Sequence, residues 1–256
     1  MTASSFFWYE LVTEDKNAAS AFYQAVVGWG TEPFGDPSDP YVIVKAGETP
    51  VAGIMTMPSE AKATGMPSAW LGYIQTLDVD ASVASLKAAG GVVHREPADI
   101  PTVGRFAVVA DPQGATFMLM TPMGEAPPGR PAPETPGLVG WRELLAGDLD
   151  TVWDFYAAQF GWTKAEAIPM GDMGPYQLFN AGDGQQGAMM TKPPMIPHPH
   201  WGFYFNVPDI DAAAKAVTRN GGQIMMEPLE VPGGQWVLNA TDPQGAAFGL
   251  VAPRRG

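Results

Sequence analysis

The sequence predicts an α+β protein built from four βαβββ modules, and three observations carry that prediction. First, the chain is a tandem repeat: Trp8-Tyr9-Glu10-Leu11 returns as Trp141-Arg142-Glu143-Leu144, 133 residues later (141 − 8). Second, each repeat places a cap-type Asp before a helical run ending at Gly-Trp: Asp15 to Gly28-Trp29, and Asp148 to Gly161-Trp162. Third, each repeat closes with Asp-Pro-Gln-Gly-Ala, at Asp111–Ala115 and at Asp242–Ala246. Self-similarity on this scale marks a duplicated structural unit.

Each element follows in order. Residues 6–13 are rich in aromatic and β-branched residues, as strands prefer. Thr13 or Asp15 caps a helix carrying Ala18, Phe22, Ala25 and Val26 at helical spacing, which stops at Gly28. Strand-like runs follow at 41–46 and 50–57. From Trp70 the pattern recurs: a strand to about Thr76, a cap at Asp78 or Asp80, and a helix stopping at Gly90-Gly91. Two strands then flank the turn Asp111-Pro112-Gln113-Gly114, where Pro presets φ and Gly supplies positive φ. Between the repeats, the dense prolines of 123–137 forbid a helix or an interior strand and imply an extended linker. The expected domains are therefore 1–122 and 138–256.

Composition excludes several classes of function. The 256 residues include no cysteine, three histidines and a net charge of −13, which removes disulfides, thiolate metal sites and Cys nucleophiles. Acidity argues against nucleic acid and anionic membranes as partners, since both need a basic footprint. The first half carries 6 basic and 14 acidic residues and the second 8 and 13, so neither hides a basic face. No run approaches the roughly 18 apolar residues of a membrane span, and Met1–Glu10 has no basic or apolar leader pattern. A cytoplasmic protein with a small-molecule partner is the expectation; because paired modules could exchange between chains, a homodimer stays open.

Strand, capping Asp, Phe-Tyr with Gly-Trp at the helix end, and a later Asp-Pro-x-Gly together resemble the vicinal oxygen chelate superfamily of glyoxalase, bleomycin-resistance and extradiol-dioxygenase proteins. The resemblance covers nearly the whole chain outside the linker and is greatest to two-domain bacterial glyoxalase-like proteins. It implies that the four modules pair into two curved-sheet domains, each around a cavity. It also implies metal-ligand positions, which fall here on Trp8 and Trp141, on or near Trp70 and Trp201, and on Met118 and Gly249. None of these is a donor for Zn²⁺, Fe²⁺ or Mn²⁺, so no metal or other cofactor is expected.

Strand parity puts Trp8 with Glu10, and Trp141 with Glu143, on one face. Glu10 and Glu143 are thus the candidate acid–base groups; the competing reading makes each a structural carboxylate bonded to a neighbouring Trp, Tyr or Arg. Trp8, Trp70, Met118, Trp141, Trp201 and Phe203 are the candidate ligand-binding walls, or else core. His200, in His198-Pro199-His200, reads as a ligand rim or an exposed loop, and as a metal site only in the alternative of an atypical metal-dependent lyase or dioxygenase. The expected function is metal-independent binding of a small, largely apolar or aromatic molecule, by sequestration or with acid–base conversion.

Overall fold

The computed structural model describes residues 4–124, 131–182 and 184–254. The first module is β1 (Phe6–Thr13), α1 (Lys16–Val27), β2 (Gly30–Phe34), β3 (Tyr41–Ala46) and β4 (Thr49–Thr56), followed by a short helix α2 (Ser59–Ala63). The second is β5 (Ala69–Gln75), α3 (Val79–Ala88), β6 (Val92–Ile100), β7 (Gly104–Ala110) and β8 (Thr116–Pro122). The third is β9 (Val139–Ala146), α4 (Leu149–Phe160), β10 (Thr163–Pro169), β11 (Pro175–Ala181) and β12 (Gly184–Thr191). The fourth is β13 (His200–Asn206), α5 (Ile210–Arg219), β14 (Gln223–Val231), β15 (Gln235–Thr241) and β16 (Ala247–Ala252). The α+β class and the four βαβββ modules are therefore as expected.

Two mixed eight-stranded sheets result, in the orders β2-β3-β4-β1-β5-β8-β7-β6 and β10-β11-β12-β9-β13-β16-β15-β14. Within each module the first strand runs parallel to the last, as in β1 with β4 and β9 with β12. That parallel pair requires a crossover, and the helix supplies it. Each of the four crossover helices, α1, α3, α4 and α5, starts on the side chain of an Asp: Asp15, Asp78, Asp148 and Asp209 accept backbone N–H groups of the first turn. Gly28 and Gly161 end α1 and α4 at φ +85° and +68°, a left-handed stop that favours glycine.

Packing divides the chain into two compact units: Met1–Trp8 with Leu71–Arg130 and Arg142–Trp201, and Tyr9–Trp70 with Pro131–Trp141 and Gly202–Gly256. These units do not coincide with the sequence halves 1–122 and 138–256; each draws on both repeats. In the second unit α1 and β2–β4 are joined by α5 and β14–β16; in the first, α3 and β6–β8 are joined by α4 and β10–β12.

Each unit is fastened by the glutamine of its Asp-Pro-Gln-Gly turn. The Gln244 carboxamide accepts from the Asp15 N–H at 2.7 Å and donates to the Asp15 carbonyl at 2.8 Å. Gln113 does the same to Asp148, at 2.9 and 2.8 Å. A turn from one repeat thus grips the helix cap of the other. Of the expected linker, 125–130 lies outside the described residues; Pro133 and Thr135 offer carbonyls to Asn206 Nδ2 at 2.7 and 3.2 Å, and Gly137 accepts from Trp29 Nε1 at 2.8 Å. Among the described residues no helix is long and apolar enough to cross a membrane.

Candidate functional site

In the unit containing α1, Glu10 on β1 lies in register with Gly53 on β4, and β3 runs along the far side of β4. Tyr41, the first residue of β3, reaches over β4 and donates its hydroxyl to Glu10 Oε1 at 3.0 Å. Gly53 leaves room for this pose of the ring, because a Cβ there would sit 1.7 Å from the Tyr41 hydroxyl oxygen. Glu10 is only 6% exposed, and a buried carboxylate needs such a donor.

The other unit repeats the pair. Tyr176 on β11 donates to Glu143 Oε1 on β9 at 2.8 Å. Here Ala188 on β12 stands in register with Glu143, and Glu143 is half-buried. Both candidate carboxylates are therefore held by a phenol two strands away. The sequence reading allowed a neighbouring Tyr as partner without identifying it. Neither tyrosine belongs to a visible motif, and no local pattern in the sequence marks either one.

Of the two readings open to Trp70 and Trp201, ligand wall or core, the structure places both in aromatic cores. Trp70 is 5% exposed and donates its indole N–H to the Tyr23 hydroxyl of α1 at 2.8 Å, and Tyr23 donates to Asp242 Oδ2 at 3.3 Å. Trp29 and Phe205 pack edge-on against Trp70, at 5.7 and 4.9 Å between ring centroids. In the other unit Trp201 donates to Tyr156 at 2.9 Å and Tyr156 donates to Asp111 Oδ2 at 3.0 Å. Tyr156 stacks on Trp162, and Phe6 packs edge-on to Trp201. Near the openings of β5 and β13, Trp70 and Trp201 turn toward the helices, where their indole N–H groups meet Tyr23 and Tyr156.

These hydroxyls are bonded links rather than acids. Burial first, and then the charge of Asp242 or Asp111, hold the phenols of Tyr23 and Tyr156 well above the ordinary tyrosine pKa. Burial also raises Asp242 and Asp111, partly opposed by backbone N–H groups of their own turns. Each aspartate thus shapes its turn with Oδ1 and receives a helix tyrosine with Oδ2.

The remaining candidates are placed as follows. Phe203 is 1% exposed and packs edge-on to Tyr9, so it too is core. Met118 is buried in register with Tyr73, while its neighbour Phe117 packs on Tyr156 and Phe160; by alternation Met118 faces away from the helices. Trp8 and Trp141 are half-buried. His200 opens β13 with its Nδ1 3.0 Å from the His198 carbonyl. Gly249 leaves no open space, since the Tyr204 ring comes within 2.2 Å of where its Cβ would stand.

Among the described residues no three His, Cys, Asp or Glu side chains come together to hold a metal ion, and the positions where a ligand set would be sought carry Trp, Met and Gly. The residues present do not fit such a metal.

Comparison with known proteins gives a consistent result. The family model described as the glyoxalase/bleomycin resistance protein/dioxygenase superfamily matches residues 5–119 and again 139–250. CFP32 of Mycobacterium tuberculosis, provisionally named a glyoxylase, is 35% identical over 250 residues, covering 96% of this chain and 94% of its own. The anthracycline biosynthesis protein DnrV of Streptomyces peucetius is 31% identical over 264 residues, covering 97% and 93%. The Mn(II)-bound glyoxalase of Novosphingobium aromaticivorans superposes with a TM-score of 0.65 at 18% identity, over 99% of this chain and 83% of that one; this is a likeness of fold.

Proposed function

Because the chain belongs to the glyoxalase/bleomycin resistance protein/dioxygenase superfamily, we propose that it binds a small, largely apolar or aromatic organic molecule at its Glu–Tyr pairs without a divalent metal. The observation that carries this reading is the duplicated pair itself, Tyr41 on Glu10 at 3.0 Å and Tyr176 on Glu143 at 2.8 Å. A carboxylate with a phenol donor accepts a hydrogen bond or a proton from a ligand and can return it. That chemistry serves sequestration of a hydroxylated ring or its conversion by proton transfer. The absence of a His/Asp/Glu cluster among the described residues supports a site that works by hydrogen bonding rather than chelation. The name of DnrV adds support from outside, since an anthracycline is a flat, fused-ring aromatic.

Titration with a hydroxylated anthraquinone, followed by tryptophan fluorescence, tests the reading. Chelator-treated protein is expected to bind it saturably, with unchanged affinity when Zn²⁺, Fe²⁺ or Mn²⁺ is restored. Binding that appears only on metal addition would overturn the reading. E10Q and E143Q then separate the two modes: loss of turnover with affinity retained belongs to conversion, and loss of affinity in a protein that never turns the ligand over belongs to sequestration.

A further inference from the structure

Lys16 opens α1, where two effects act against a cation. A helix N-terminus carries partial positive charge, and Lys16 is only 8% exposed, which penalises an ion. Its partners offset both costs. The ammonium donates to the Pro40 carbonyl at 2.6 Å and pairs with the Asp39 carboxylate. The adjacent Asp15 carboxylate is already engaged with the Asn17 and Ala18 amides.

Asp39 and Pro40 are the last two residues before Tyr41. The rest of this connection is also held: the Asp36 carboxylate accepts both the amide and the hydroxyl of Ser38 at 2.8 Å, and Pro37 and Pro40 restrict φ. The second repeat is built differently. Leu149 stands 133 residues after Lys16 (149 − 16) and brings no cation. Tyr176 is approached through a 3₁₀ turn, Gly171–Met173, that opens on Gly171 at φ +59° and is followed by Gly174 at φ +80°.

We propose that Lys16 is a positioning residue, clamping Asp39 and Pro40 so that the Tyr41 hydroxyl is preset on Glu10. The Glu10–Tyr41 pair is then preset through a lysine that has no counterpart at Leu149 in the other repeat. Its functional consequence, preorganisation of the Glu10 acid–base pair by Lys16, rests on the reading above; the clamp itself is tested without any ligand.

Full-length protein carrying 3-fluorotyrosine gives separate ¹⁹F resonances for positions 41 and 176, assigned with Y41F and Y176F. K16M is expected to move the position-41 resonance most of the way to its unfolded position and leave position 176 in place, while K16R holds both near wild type. Should K16M fail to fold, D39N keeps the test open, with a smaller displacement confined to position 41. An unmoved position-41 resonance in folded K16M, or equal displacement of both resonances, overturns the clamp. Neither result depends on whether the hydroxylated anthraquinone binds.

Discussion

The Tyr23 hydroxyl donates to Asp242, 219 residues away in sequence, and in the same position accepts the indole N–H of Trp70. One phenol therefore ties a helix of the first repeat to the closing turn of the second. Tyr156 makes the corresponding link to Asp111 and Trp201. Removing the hydroxyl strands a buried indole N–H and a buried carboxylate oxygen together. Y23F and Y156F should each lower unfolding stability by about 1–3 kcal/mol, measured by urea denaturation. W70F should cost less in the Y23F background than alone, because the bond it removes is already gone.

The raised pKa of Asp242 gives stability a defined pH dependence. The folded state holds the Asp242 proton more tightly than the unfolded chain does. Its stabilising contribution is fully present below the unfolded aspartate value of about 3.9 and is lost as pH rises through the higher folded value. D242N abolishes that term. The stability of wild type relative to D242N should therefore fall as pH climbs from below about 4 to neutrality, as read from paired urea midpoints. A difference that rises over this range contradicts the assignment.

Gly53 and Ala188 make the two Glu–Tyr pairs separately addressable. G53A puts a methyl group 1.7 Å from the Tyr41 hydroxyl position, so the ring must shift from its present seat. The expected cost is about 1–3 kcal/mol, and it should largely vanish in a Y41A background, where nothing is left to displace. A G53A cost that persists without the Tyr41 ring would show that the glycine serves the backbone instead.

The glutamine clasps predict a chemical preference. Gln244 both donates to and accepts from the Asp15 backbone, so its carboxamide is matched at both ends. Q244A should lose about 1 kcal/mol. Q244E should lose more than Q244A despite its similar shape, because a carboxylate cannot donate and sits beside the Asp15 side chain. Thermal melts of the three proteins at neutral pH decide the order.

Much of the fold is legible in the sequence because it is duplicated. Asp15, Asp148, Gly28 and the Asp-Pro-Gln-Gly turns each act through one residue's backbone preference, and each occurs at matching positions in both copies. β2 left little trace: Gly30–Phe34 is an exposed edge strand containing Pro33, without the alternation that burial imposes. The site was half legible. Glu10 and Glu143 stand out as carboxylates among aromatics, but Tyr41 and Tyr176 lie two strands away, and only register brings them in. Trp70 and Trp201 stayed open because a tryptophan near the start of a strand fits a ligand wall and a core equally well. Their indole N–H groups reach helix tyrosines, a relation no local pattern records. The composition of the units was likewise out of reach, since Gln244 and Asp15 meet across 229 residues.

In the proposed site the Glu–Tyr pairs, and not a chelated metal, hold the ligand. Native mass spectrometry of untagged protein, with metal quantified on the same sample, distinguishes the two. A bound organic mass that survives chelator treatment is expected, with metal content far below one ion per chain. Stoichiometric zinc, iron or manganese, with loss of the organic mass when that metal is stripped, would contradict it.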